Sequence, residues 1–126
     1  MYQDERVPRL CSSAALKKHA KNVMVLDLRV YNTIADYFII CSGWSKRQVQ
    51  SIADGILEEL KKSGIACDHV EGYEPGAWVL IDFGDTVVHV FQSEVRLAYD
   101  LEGLWKEAER SLMKEEREAE AVGATP

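Results

Sequence analysis

The sequence lacks any apolar run approaching the ~20 residues that a membrane-spanning helix needs. Its first residues, Met1-Tyr2-Gln3-Asp4-Glu5-Arg6, lack the apolar core of a secretory leader. Both absences point to the cytosol. Cysteine is scarce: Cys11, Cys41 and Cys67 are odd in number, far apart, and form no Cys-x-x-Cys pair. Reduced, buried thiols are expected rather than a disulfide framework, and no electropositive setting marks a catalytic thiol. Positive charge is in deficit, with 15 Lys and Arg against 21 Asp and Glu and a net charge of −6. That balance argues against gripping nucleic acid by phosphate neutralisation over a broad surface. It makes a partner with basic side chains the easier match. Ligand spacings are missing too. His19, His69 and His89 form no His-x-x-x-His pattern, and Asp27, Asp36, Asp82 and Asp85 contain no Asp-x-Asp pair. Neither a zinc site nor a two-metal transferase centre is expected, and no cofactor. Ser42-Gly43-Trp44-Ser45 has no glycine-rich phosphate loop around it, so helix capping accounts for it.

What remains is a chain of 126 residues, 47% apolar and 29% charged, which fits one soluble globular domain. Residues 76 to 91 organise it. Two apolar runs flank Gly84-Asp85, and glycine first in such a break suits a type I′ or II′ hairpin turn. Ala77–Phe83 and Thr86–Phe91 are therefore expected to pair as antiparallel strands. Alternation puts Trp78, Leu80 and Asp82 on one face and Val79, Ile81 and Phe83 on the other. The second set is a core face. The first mixes an aromatic, an aliphatic and a carboxylate, and a carboxylate is costly to bury alone. That face is expected to meet water or a partner, the alternative being that a helix or loop covers Trp78.

Upstream, residues 1–11 read as a loose N-terminus, followed by a thin surface helix capped at Ser12 or Ser13 and ending near Asn22. Val23–Val30 alternates as a strand. Tyr37–Ser42 is apolar throughout, as a strand covered on both faces would be, and is the candidate for the centre of the sheet. Ser45 and Gln48 match a capping box. Val49, Ile52, Ala53, Ile56, Leu57 and Leu60 then mark one helical face up to the stop at Gly64. Residues 67–71 suit a short edge strand, and Ser93 caps a helix through about Tyr99. Residues 106–126 read as a charged helix and tail. Helices and strands in this order give an α+β, or mixed α/β, two-layer domain.

The segments Val25-Leu26-Asp27-Leu28, Ala35-Asp36-Tyr37-Phe38-Ile39-Ile40-Cys41-Ser42-Gly43, Val70-Glu71-Gly72-Tyr73, Trp78 through Phe91, Glu94-Val95-Arg96 and Leu101-Glu102-Gly103-Leu104-Trp105 together resemble the ribosomal silencing factor family, also called Iojap. The likeness covers residues 12–105; Trp44 departs from it, standing where a small residue or threonine is expected. It implies a nucleotidyltransferase-like domain without the catalytic carboxylates, built on a mixed sheet of about five strands packed with helices. It also implies a non-enzymatic role: binding the large ribosomal subunit through ribosomal protein L-fourteen and blocking association with the small subunit, so that translation falls under nutrient limitation. Homodimers are implied as well. The alternative is a nucleotide-handling enzyme on the same fold. The expected partner-binding face is the Trp78, Leu80, Asp82 row with Tyr73 and Glu71 beside it, and with His89 and Phe91 on the neighbouring strand.

Overall fold

The computed structural model describes residues 5–31 and 35–99. The elements run α1 (Arg6–Lys17), β1 (Lys21–Asp27), a 3-10 turn (Arg29–Tyr31), β2 (Tyr37–Gly43), α2 (Lys46–Lys62), β3 (His69–Glu71), β4 (Trp78–Asp82), β5 (Thr86–Gln92) and α3 (Ser93–Tyr99). The five strands form one mixed sheet in the order β1-β2-β5-β4-β3. Only β2 and β5 pair in parallel; the other neighbours are antiparallel. The uniformly apolar β2 is buried along its whole length, as expected. The centre belongs to β5, however, because the chain returns after α2 and inserts β5 between β2 and β4.

The hairpin forms as the sequence indicates. Asp82 pairs with Val87, the Phe83 amide donates to the Thr86 carbonyl at 2.9 Å, and Gly84 has φ of +97°. Asp85 is not among the residues with a positive φ, so the turn is not type I′, which needs one at both central residues. The Ser45 hydroxyl accepts from the Gln48 amide to open α2. On one face of the sheet, α1 and α2 cover Ile39, Cys41, Val79, Ile81, Val88 and Val90.

The N-terminal quarter differs from expectation. Helix α1 starts at Arg6, not Ser12, and takes in Pro8. Proline is tolerated there because a first-turn N–H has no intrahelical acceptor to lose. The helix stops at Lys17, and His19 follows with φ of +65°. Its inner stripe of Val7, Cys11, Ala14 and Ala15 is small yet buried, so α1 lies close on α2 instead of loosely on the surface. Strand β1 ends at Asp27, short of Val30. The Asp27 carboxylate accepts from the amide and the Nε of Arg29, which winds the chain into the 3-10 turn and buries Leu28. The same contacts hold the Asp27 carboxyl below the usual aspartate range. Early in β1 a register shift coincides with Asn22 at φ of +51°. Arg96 of α3 donates to the Asn22 carbonyl there at 2.9 Å, and to the Ser42 hydroxyl at 2.7 Å.

Candidate functional site

The second face of the sheet is apolar but less fully covered. Leu26, Phe38, Ile40, Val87 and Phe91 are buried in it, with Leu28 and Ala35 alongside, while Met24, Trp78, Leu80 and Val95 pack against them half-buried. The pairing explains the grouping. Trp78 lies opposite Phe91, Leu80 opposite His89 and Asp82 opposite Val87, and cross-strand partners share a face. On the other side of β4, Glu71 lies opposite Leu80 and His69 opposite Asp82.

Trp78 is held by geometry as well as by burial. Its ring stacks on Phe91 with centroids 4.9 Å apart and planes at 27°. Its indole Nε1–H donates to His89 Nδ1 at 3.1 Å. That bond makes Nδ1 an acceptor and puts the His89 proton on Nε2. His89 sits 4.7 Å from the Phe38 ring, and burial pushes its pKa down to about 4. Its Nε2 is buried with no partner among the described residues. Beside Trp78 a cavity of about 260 Å³ opens, lined by Glu71, Gly72, Trp78 and Leu80. Gly72 fits there only as glycine. Its φ is +79°, and a Cβ would come within 2.2 Å of the Trp78 carbonyl oxygen.

The structure thus brings together six of the seven expected residues, in two tiers. Trp78, Leu80, Asp82 and Glu71 reach the surface, while His89 and Phe91 form the floor beneath them at 4% and 0% exposure. Asp82 is partly engaged locally, since one carboxylate oxygen accepts from the Gly84 amide at 2.7 Å and braces the hairpin turn. Tyr73 does not stand beside the row. Its ring packs on the helical side of the sheet, its hydroxyl donates to the Asp54 carboxylate of α2 at 2.9 Å, and Gln50 donates to its carbonyl. The hydrogen bond to Asp54 pushes the Tyr73 pKa up. The sequence reading passed over Gly72 and Phe38. Alternation along β2 was the signal for Phe38; nothing short of the fold shows that Gly72 touches the Trp78 backbone.

Around this face the charge is negative: Asp68, Glu71, Asp82 and Asp85 lie on or beside β3 and the hairpin turn. Among the described residues, no three His, Cys, Asp or Glu side chains converge as a metal site. Burial pushes the Cys11 and Cys41 thiols up to about 12, while Cys67, expected to be buried, is exposed. No described helix is long and apolar enough to cross a membrane.

The family model described as ribosomal silencing factor during starvation matches residues 3–125. The chain is 41% identical over 100 residues to Ribosomal silencing factor RsfS of Bacillus subtilis, covering 79% of this chain and 85% of the relative. To the Halalkalibacterium halodurans protein of that name it is 42% identical over 105 residues, covering 83% and 90%. The fold matches a crystal structure of a Chromobacterium violaceum protein with a TM-score of 0.80 and 34% identity, covering 83% of this chain and 88% of that one.

Proposed function

Since this chain belongs to the ribosomal silencing factor family, we propose that it is a binding module, not an enzyme, which docks on ribosomal protein L-fourteen of the large subunit and blocks small-subunit joining by occlusion. The observation that carries the docking face is the half-buried Trp78–Leu80 surface, fixed from below by Phe91 and His89 and rimmed by Glu71 and Asp82. A rigid aromatic anchor beside an apolar hollow suits a hot spot. An acidic rim suits the basic side chains of a ribosomal protein, and it raises the encounter rate more than the affinity.

The test is sedimentation with separated ribosomal subunits, followed by a subunit-joining assay. The protein is expected to travel with the large subunit. Truncating a hot-spot aromatic costs about 2–4 kcal/mol, roughly 30- to 1000-fold in affinity, so Trp78→Ala should release it. Because Trp78 also packs on the floor, Leu80→Glu and Glu71→Lys serve as variants that break no side-chain hydrogen bond described here. If all three still block joining at wild-type concentrations, this face is not the docking face. If the wild-type protein follows neither subunit, the proposal falls as a whole.

A further inference from the structure

Among the described residues, every large aromatic side chain is buried or half-buried except one. Trp44, between β2 and α2, is 69% exposed, more than any other large apolar side chain among the described residues. It is nonetheless fixed in place. Its amide donates to Gln48 Oε1 at 2.7 Å, and Gln48 Nε2 donates in turn to the His19 carbonyl at 3.1 Å. The Lys21 ammonium lies over the indole, 4.7 Å from its centre. Lys46 and Arg47 are exposed where α2 begins, directly after Trp44 and Ser45. In a chain with a net charge of −6, this corner is locally basic.

Its position matters as much as its composition. Gly43 pairs with Gln92 on β5, and the Gln92 amide donates to the Ala77 carbonyl just before β4. Gly43 and Ala77 therefore stand two strand spacings apart, about 10 Å, at the same end of the sheet, and each is followed directly by its tryptophan, Trp44 and Trp78.

We infer that the Trp44 corner is a second contact surface and that its partner is RNA, with an unpaired base stacked on the indole and adjacent phosphates held by Lys21, Lys46 and Arg47. The inference rests on the reading that the protein docks on the large subunit. Cation-flanked aromatics hold single-stranded nucleic acid because every base offers a π-face and every phosphate a charge. An acidic protein segment would satisfy the cations but leave the indole without a planar partner. The broad acidic balance of the chain is compatible with this, since the contact needs only a few cations in one place.

The experiment binds the full chain to purified large subunits at several salt concentrations. It compares wild type, Trp44→Ala, Trp44→Phe and the double variant Lys46→Glu/Arg47→Glu. All three changes lie at exposed positions, and unchanged urea midpoints would establish that the fold is retained. Trp44→Ala is expected to weaken binding about 5- to 100-fold, with Trp44→Phe recovering most of the loss. The charge reversal is expected to lower the salt slope by roughly two. A photo-reactive phenylalanine analogue at position 44 should form its adduct with ribosomal RNA. Wild-type affinity and salt slope in every variant would overturn the inference while leaving the docking proposal standing. So would an adduct with a ribosomal protein. Failure of the wild-type protein to bind subunits would instead sink the docking proposal and this inference with it.

Discussion

Acidification should loosen this fold between pH 6.5 and 4, and His89 is the reason. Its imidazole is 4% exposed, Nδ1 accepts from the Trp78 indole, and burial lowers its pKa from 6.5 to about 4. A proton added at Nδ1 would face the indole N–H donor to donor. Above pH 6.5 the imidazole is neutral in both the folded and the unfolded chain, and this contribution is fully present. As pH falls from 6.5 towards 4, the unfolded chain takes up the proton first, so folding stability declines by up to 1.36 kcal/mol per pH unit. The full span is worth about 3 kcal/mol, and about 2 kcal/mol of it is gone by pH 5. Asp27 adds a second, separate decline, because its depressed carboxyl loses its contribution only as pH falls below the ordinary value of 3.8. Urea unfolding at pH 7.5, 6, 5 and 4.5 measures the first window, and His89→Phe should flatten it. Stability that stays level between pH 7.5 and 5 in the wild type, or a decline that survives in His89→Phe, would refute the reasoning.

Two further outcomes follow from packing. Gly72→Ala adds a Cβ where the Trp78 carbonyl oxygen is 2.2 Å away and the backbone φ is +79°. Left-handed strain plus overpacking should cost about 2–4 kcal/mol in a urea titration, and the cavity wall should shift enough to weaken subunit binding; wild-type stability would show that the loop relaxes freely. Ile56→Ala empties a fully buried position on α2 and should cost about 2–5 kcal/mol, with calorimetry as the check and a loss below 1 kcal/mol as the contrary result.

The hairpin, α2 and the apolar character of β2 were legible because each is set by local chemistry: a glycine in a two-residue break, a capping serine ahead of a period near 3.6, an unbroken apolar run. Helix α1 was misjudged because Pro8 reads as a break when it is in fact a first-turn residue, and because Cys11, Ala14 and Ala15 make a stripe too slight to stand out. Of the strand order, the β4–β5 hairpin and the edge place of β3 were legible, but the parallel pairing of β2 with β5 was not, since it joins segments about fifty residues apart. The candidate face was legible as far as alternation reaches, which covers Trp78, Leu80 and Asp82. Alternation says nothing of depth, so the burial of His89 and Phe91 could not be read from it. Nor does it govern loops, which is why Tyr73 was placed beside a row from which Asp54 holds it away.

The order of the sheet also bears on how the chain comes into being. Strand β5 is central in space but the last of the described strands in chain order. Until it is made, β2 has neither its parallel partner nor a closed sheet around it, and its apolar edge is open to wrong pairings. From Gly43 at the end of β2 to Gln92 at the end of β5 is 92 − 43 = 49 residues, roughly 3–10 s of synthesis. Rapid formation of the neighbouring α2, which can hold its apolar face over β2 in the interval, would shorten that exposure. The same late strand carries Phe91 and His89, on which Trp78 is seated. A nascent chain therefore lacks the proposed docking face while it is still unfinished at the sheet, and closing the sheet and forming that face happen in one step.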